Sequence, residues 1–357
     1  MSLLGTIAVP QLTRTRVPAI QEPAAAILRC LFKHRRLAFE AGDCAREECG
    51  QCLALHLPKV RQFVQTRRPI HCILPAFPAK SPSRRKTLGP LPDKAEELAL
   101  LYLESVCREV SSVYPPGLRL TLCSDGHVFS DLVKVSDDDV TLYGRTIADW
   151  LRRLSCRSLD TFDLSGVYDG LDHTARRNQL IADHARPIAE IEERARRFEQ
   201  VRALVNGIHR FLFEEQAELQ PERSRSQVRQ ECRSLAYQLV RRSEAWSRLL
   251  ANRFPSALRL SIHPQHPHAE KIGILLGETE DVWQTPWHGV ALRTASGWKF
   301  VKRHEAEALG ARLVERDGRG RYFELPPGRE PNPQPLFPGR EGGSGSSSLH
   351  PGFGNGI

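Results

Sequence analysis

Apolar positions along the chain alternate between short buried runs and helical faces. Residues 70–77 (IHCILPAF) form a short apolar run stopped by prolines, and residues 118–124 (LRLTLCS) form another, closed by a Ser-Asp-Gly turn. Both have the pattern of buried strands. Between them, Pro92-Asp93 opens a helix with Leu98, Leu101, Tyr102 and Val106 on one face, and Pro115-Pro116-Gly117 ends it. Helical spacing is also found over 24–37 and 55–66. Beyond the second strand the pattern predicts a short strand at 140–143, a helix at 146–154 and a strand within 159–167. From about 172 to 252 the chain reads as helix. Ile188, Ile191, Phe198, Val201, Leu204, Val205, Ile208, Phe211 and Leu212 keep one face, Glu and Arg fill the other, and Pro221 breaks the run. Strands return at 258–263, 271–277, 288–294 and 298–303, followed by a helix at 304–316 and a last strand at 321–325.

This alternation predicts an α/β fold, a mixed sheet with flanking helices and a helical insertion or cover in the middle of the chain. The expected organisation is a flexible arm over 1–23, an α/β half over 24–170, a helical segment over 171–252, a β-rich half over 253–326 that completes the site, and a disordered Pro/Gly/Ser tail over 327–357. No internal repeat is visible.

Composition narrows the function classes. The 357 residues carry a net charge of +9, with 40% hydrophobic residues. Basic residues are scattered among carboxylates, without the long basic run or aromatic-plus-basic repeat of a nucleic-acid binder. No apolar run reaches the roughly 18 residues of a membrane span. The N-terminus lacks the basic start and apolar block of a signal peptide, so the expected compartment is the cytoplasm. Nine cysteines are an odd number, and reduced thiols fit that compartment. Cys44, Cys49, Cys52 and His56 form a C-x4-C-x2-C-x3-H run that looks like a metal-ligand set. Structural zinc sites more often pair two such clusters, so the expectation is no resident metal, with buried or idle thiols as the simpler reading.

Two segments carry the chemistry. Residues 74–86 (LPAFPAKSPSRRK) place Lys80, Ser81, Ser83, Arg84, Arg85 and Lys86 on a proline-stiffened loop after a strand, the composition of an anion cradle. Residues 124–132 (SDGHVFSDL) gather Asp125, His127, Ser130 and Asp131 around a glycine at a strand end, where open α/β sheets place ligands. Such a turn is also a plain structural feature. Together they suggest acid/base chemistry on a small phosphorylated molecule, with Lys80, or less strongly Lys134, as a lysine for Schiff-base chemistry. In SIHPQHPH, His263, Gln265, His266 and His268 have no standard metal spacing, and Lys271 lies near enough in sequence to reach the same cleft. In WQTPWHGV, Trp283, Thr285, Trp287 and His288 are the best group to stack on an aromatic side chain. Arg233 and Tyr237 are candidates to hold a carboxylate, or are solvated helix residues.

PAFPAKSP, LGPLPDKAE, SDGHVFSDLV, RLSIHPQ, TPWHGV and AEALGARLVERDGRGRYFEL, in this order, resemble the isocyanide (isonitrile) synthase family. This family includes paerucumarin/pyoverdine-type biosynthesis enzymes and the fungal spore-wall maturation (dityrosine) branch. The resemblance spans about 26–326. It implies an enzyme that turns the α-amino group of an L-amino acid, usually tyrosine or tryptophan, into an isocyanide. The carbon would come from C2 of ribulose 5-phosphate, without metal or organic cofactor. It also implies a separate Fe(II)/2-oxoglutarate oxygenase as a pathway partner. His127 stands where relatives read arginine, and Ser83 where they read asparagine. The expected catalytic set is Asp125, His127, Asp131 and Lys80. Ser81, Ser83, Arg84, Arg85 and Lys86 are expected on the sugar phosphate, and Arg233, Tyr237, His263, Gln265, Trp287 and His288 on the amino acid. The alternatives are an N-formyl amino acid synthase on the same scaffold, or a non-catalytic basic protein binding sugar phosphate or nucleic acid.

Overall fold

The computed structural model describes residues 22–37, 44, 49–281 and 283–326. The expected N-terminal arm, but for its last residues, and the Pro/Gly/Ser tail lie outside them. At the centre is a parallel sheet of β1 (Ile70–Pro75), β2 (Leu118–Cys123), β3 (Leu159–Phe162), β4 (Leu258–Ser261) and β5 (Ile272–Gly273), in the order β3-β2-β1-β4-β5. The strands read as apolar runs because helices cover both faces. One face packs on α1 (Pro23–Lys33), α2 (Gly50–Gln65), α3 (Lys94–Val113) and α5 (Asp137–Arg153). On the other face, α6 (His173–His184) and the long α9 (Arg225–Arg253) join Ile73, Cys123, Val128 and Leu164 in a second core.

The short α4 (Gly126–Val133) follows β2 directly. With α7 (Ile188–Arg197) and α8 (Glu199–Leu219), α9 forms a helical cover around Ile191, Val205, Ile208, Leu212 and Val240. This is the helical middle that the 3.6-residue pattern predicts. The C-terminal part is a second sheet of β6 (Val290–Thr294), β7 (Gly297–Val301), β8 (Arg312–Arg316) and β9 (Arg319–Glu324), ordered β7-β6-β9-β8, with α10 (Arg303–Ala308) between β7 and β8. No helix among the described residues is long and apolar enough to cross a membrane.

Two element assignments differ from the sequence reading. The strand expected at 140–143 is the second turn of α5. Ser136 caps this helix by accepting from Asp139 N–H, and Asp137, Asp138 and Asp139 fill its first turn. Val140, Tyr143, Ile147 and Leu151 are then buried at helical spacing. The helix expected at 304–316 ends at Ala308, and its second half is β8. Asp317 and Gly318 take left-handed φ values of 55° and 70°, the turn a two-residue hairpin requires, and β8 pairs antiparallel with β9.

Candidate active site

The strand order reverses between β1 and β4, and this is where open α/β sheets bind ligands, beyond the carboxyl ends of the strands. Three chain segments leave the sheet at that point: 76–82 after β1, Ser124-Asp125 after β2, and Ile262-His263 after β4. They enclose a cavity of about 190 Å³ with Trp287 and His288. Phe129, Val133, Val140, Phe211 and Leu239 supply its apolar wall, and α8 and α9 thereby close it from above. The HPQ segment, with its His263 expected to end a strand, is a loop at the cavity, and Pro286–His288, with its histidine expected to begin one, forms a 3-10 turn before β6.

Asp125 is the residue immediately before α4, deep in the structure, and the surface it keeps faces the cavity. Burial pushes its carboxyl up to about 7, against a backbone hydrogen bond that lowers it. The glycine of SDG is required by close approach. A Cβ on Gly126 would come within 2.1 Å of Pro78 O and 2.6 Å of Val140 Cγ1. Phe77 has a left-handed φ of 56°, and Ser124 Oγ–H donates to its carbonyl at 3.0 Å while its ring packs on Trp287. The loop after β1 is thus pressed onto the start of α4, and Asp125 has one place to go.

Both cavity imidazoles are neutral. Burial, with Arg36, His288 and Lys271 nearby, lowers His263 to about 3. Burial also lowers His288 to about 4, against the pull of Glu215. His288 Nδ1 lies 3.1 Å from Thr285 Oγ1, and its ring meets Phe211 edge-on. The cavity therefore offers an acid poised near neutrality, two uncharged imidazoles and an aromatic wall.

The 80–86 loop differs from the anion cradle expected of it. Ser81 Oγ–H donates to Glu215 at 2.5 Å, Ser83 Oγ–H donates to Glu218 at 2.6 Å, and Lys86 is paired with Glu215. Two carboxylates of α8 occupy the donors meant for a phosphate. Arg84 and Arg85 are exposed, and Arg85 lies 3.8 Å from Glu218. Lys80 borders the cavity, but its amine is sealed beneath it, 2.8 Å from Asp93, 2.9 Å from Glu96, and donating to Pro286 O at 2.9 Å. Burial works against its charge, but the two carboxylates outweigh burial and hold the amine above the usual lysine range. A protonated amine with three acceptors is no Schiff-base nucleophile. Burial meanwhile pushes Glu96 up to about 7, and Tyr143 O–H donates to it at 3.3 Å. Lys80 fastens the loops together instead. Lys134 is at the surface, 3.3 Å from Glu231.

The remaining sequence candidates lie off the cavity. One helical turn carries Asp125 to one side and His127 and Asp131 to others. His127 stacks on His173 at 4.0 Å, and its Nε2 is 3.1 Å from Thr141 Oγ1. Asp137, beside this histidine pair, is gripped by both terminal nitrogens of Arg177 and by Ser130 Oγ–H, so the trio is an ion-paired tie and not an open metal site. Asp131 accepts from both terminal nitrogens of Arg242 at 2.5 and 2.9 Å. Burial opposes its charge, but Arg242 and Arg177 hold its carboxyl below the usual range. Gln265 is buried and donates at 3.1 Å to Ser261 Oγ, His263 O and Pro264 O, shaping the His263 loop. Arg233 is exposed on α9 and Tyr237 is half-buried there; neither lines the cavity. Trp283 lies beside His263, with ring centres 6.4 Å apart.

Two other features hold charge. A groove of about 740 Å³, bordered by Arg68, His71, Arg119, Asp160 and Arg253, is larger but more open. Its histidine contacts Thr121 and its Arg119 pairs with Asp160, so its chemistry is already spent internally. Lys271 and Arg259 are of greater interest. Burial, with Arg259 beside it, lowers Lys271 to about 8, and burial lowers Arg259 as well. Arg259 donates to Ser247 Oγ at 2.7 Å. The charge of Glu270 works against burial at both cations.

Comparison with known proteins gives the family. Residues 60–314 match the family model described as pyoverdine/dityrosine biosynthesis protein. The chain belongs to the pyoverdine/dityrosine biosynthesis family. It is 44% identical over 297 residues to L-tryptophan isonitrile synthase AmbI2 of Fischerella ambigua, covering 83% of this chain and 90% of that one. It is 37% identical over 298 residues to the L-tyrosine isonitrile synthase of Pseudomonas aeruginosa, covering 82% and 89%. The crystal structure of the PvcA protein from Pseudomonas aeruginosa superposes with a TM-score of 0.77 at 36% identity, covering 85% of this chain and 100% of that one.

For this family member, sequence reasoning missed part of the cavity. Glu215, Phe211 and Leu239 come from the helical cover, which reads as an ordinary amphipathic segment. Arg259 sits in a strand whose alternation is unremarked in sequence. Phe211 reads in the sequence only as part of the apolar helix face; in the structure it packs with Leu212 in the core of the cover and also reaches the cavity.

Proposed function

We propose that this chain converts the α-amino group of L-tryptophan or L-tyrosine to an isocyanide, taking the carbon from ribulose 5-phosphate. The observation that carries the reading is the juxtaposition of Asp125 with neutral His263 and His288 around an apolar, aromatic cavity, in a chain 44% identical to a tryptophan isonitrile synthase. An amino acid arrives with a protonated amine, which must lose a proton before it attacks the sugar's ketone. A carboxyl that titrates near 7 can accept that proton and return it as the carbinolamine loses water. The neutral imidazoles donate or accept hydrogen bonds without adding charge, and Trp287 and Phe211 offer ring faces and edges to the side chain.

The cavity is smaller than the roughly 300–1,000 Å³ of a drug-sized site. It suits one amino-acid-sized guest, so the sugar phosphate enters from the sheet side. We assign its ester to Lys271 and Arg259, two neighbouring desolvated cations, of which Lys271 is close enough to His263 to act on its charge. Arg84 and Arg85 are left as solvated loop residues.

Incubating the purified chain with tryptophan or tyrosine and ribulose 5-phosphate, followed by infrared and mass analysis, tests the reading. The expected product shows the isocyanide stretch. A formamide product transfers the chain to N-formyl amino acid synthesis, and no turnover of any proteinogenic amino acid removes the proposal. Lys271→Ala is expected to raise KM for the sugar phosphate at least about tenfold, the loss of one charge-assisted contact of about 1.5–3 kcal/mol. Changing Arg84 and Arg85 together to alanine is expected to leave it within about twofold. The reverse ranking returns the phosphate to the loop.

A further inference from the structure

The Cys44/Cys49/Cys52 run is not absorbed by the reaction, and its fourth partner is not the histidine adjacent in sequence. His56 is buried on α2, edge-on to Phe32 with ring centres 6.1 Å apart. The three sulfurs meet His268 instead, from the loop between β4 and β5, 224 residues beyond Cys44. Cys44 Sγ lies 3.2 Å from Cys49 Sγ, 3.8 Å from Cys52 Sγ and 3.3 Å from His268 Nε2, and Cys49 Sγ lies 3.6 Å from the same nitrogen. All four atoms fall within 4.8 Å of one another.

A tetrahedral zinc with Zn–S near 2.3 Å and Zn–N near 2.0–2.1 Å places its sulfurs about 3.8 Å apart and its sulfur and nitrogen about 3.6 Å apart. The cluster spans these separations. Three thiols and an imidazole have little reason to converge without an ion, because thiols are weak hydrogen-bond partners. Local structure also favours thiolate: Cys49 is the N-cap of α2 and accepts from Cys52 N–H at 3.5 Å.

We propose that Cys44, Cys49, Cys52 and His268 bind a structural zinc ion. Four protein ligands fill the tetrahedron, leaving no open position for catalysis. On binding, zinc replaces the protons of the three thiols. The ion ties the start of α2 to the loop that begins with Ile262 and His263, both at the cavity. The same loop is held from the N-terminal side by a second set of contacts. Leu37 bridges to Gln265, Gln265 N–H donates to Arg36 O at 3.1 Å, and the Arg36 guanidinium donates to Ile262 O. Zinc would thus lock a segment whose register sets His263, and the assignment stands whether or not the reaction reading does.

The full chain, purified under reducing conditions without chelator, is expected to carry one zinc per chain by elemental analysis. Cobalt exchanged into it should give tetrahedral d–d bands and a thiolate-to-cobalt charge-transfer band. His268→Ala should weaken zinc retention and alter the cobalt spectrum, whereas His56→Ala should leave both unchanged. Removing zinc from the wild-type chain should lower its melting temperature, and adding zinc alone should restore it, which keeps the test independent of whether a variant folds. Wild-type protein that contains far less than one zinc and gives no thiolate–cobalt band overturns the assignment. So does a Cys44–Cys49 disulfide found by mass mapping of protein kept under reductant, or zinc lost with His56→Ala and retained with His268→Ala.

Discussion

Asp125 carries opposing consequences for activity and stability. Its carboxyl titrates at about 7 in the folded chain against 3.8 ordinarily. As the proposed base it must be ionised, while Lys271, the proposed phosphate ligand at about 8, must stay protonated, so kcat/KM is expected to rise with pH to about 7 and to fall again above about 8. His263 and His288, at about 3 and 4, stay neutral across that range and contribute no inflection. Stability runs the other way. Between about pH 4 and 7 the unfolded chain has released this proton and the folded chain has kept it, so the unfolded state binds fewer protons and stability falls as pH rises. The effect is absent below about 4 and constant above about 7, with an upper bound of about 4 kcal/mol. Asp125→Asn is therefore expected to abolish turnover yet raise the melting temperature at pH 8 more than at pH 4. An equal change at both values would show that the carboxyl is not held protonated. Lys80 is the contrasting residue. Lys80→Ala leaves Asp93 and Glu96 facing each other without their cation and is expected to cost about 3–5 kcal/mol in denaturant unfolding. Lys80→Met removes charge but keeps packing and should fold no better, since the two acids remain.

At the scale of elements, the site depends on how α4 begins. Gly126 lets the first turn of α4 sit against Pro78, the Asp131–Arg242 ion pair fixes the helix to α9, and Ser130, donating to Asp137 and accepting from Arg177, fixes it to α5 and α6. Gly126→Ala forces backbone apart at 2.1 Å and is expected to destabilise by about 1–3 kcal/mol or more, with a larger fractional loss of activity than of folded protein by circular dichroism. The SDG word was legible as a strand-end turn with a carboxylate. That its glycine answers to a proline on another loop was not, because the clash is between segments 48 positions apart in a chain whose sheet brings β1 and β2 together. The 140–143 misreading has a local cause. β-branched residues raised the strand expectation, while a serine cap and three aspartates made a helix start. The Asp317-Gly318 turn was likewise written in the sequence, but the strand before it, β8, was hidden inside an apparent helical pattern.

Across the whole molecule, the proposed catalytic groups and their cover come from separate parts. The parallel sheet supplies Asp125 and His263, and the helices α8 and α9 supply the lid residues Phe211, Glu215 and Leu239. Phe211→Ala is expected to enlarge the cavity and raise KM for the aromatic amino acid several-fold while leaving KM for the sugar phosphate within about twofold. Equal changes in both would place the ring between the substrates instead of against the amino acid. The cover is joined to the loop after β1 by Glu215 and Glu218, so the carboxylates that displaced the expected phosphate also hold the lid down.

The sequence by itself determined the layer architecture, the helical middle, the strand-end position of Asp125 and the aromatic loop of Trp287, because each follows from local periodicity or from a turn that marks a strand's end. Only the tertiary structure decided which neighbours of those residues face the cavity. A helical turn rotates successive side chains by about 100°, so Asp125, His127 and Asp131, adjacent in sequence, diverge to three surroundings. Charge pairing then chose partners by distance in space, giving Lys80 to Asp93 and Glu96, the loop serines to α8, and three cysteines to a histidine 224 residues beyond the first of them.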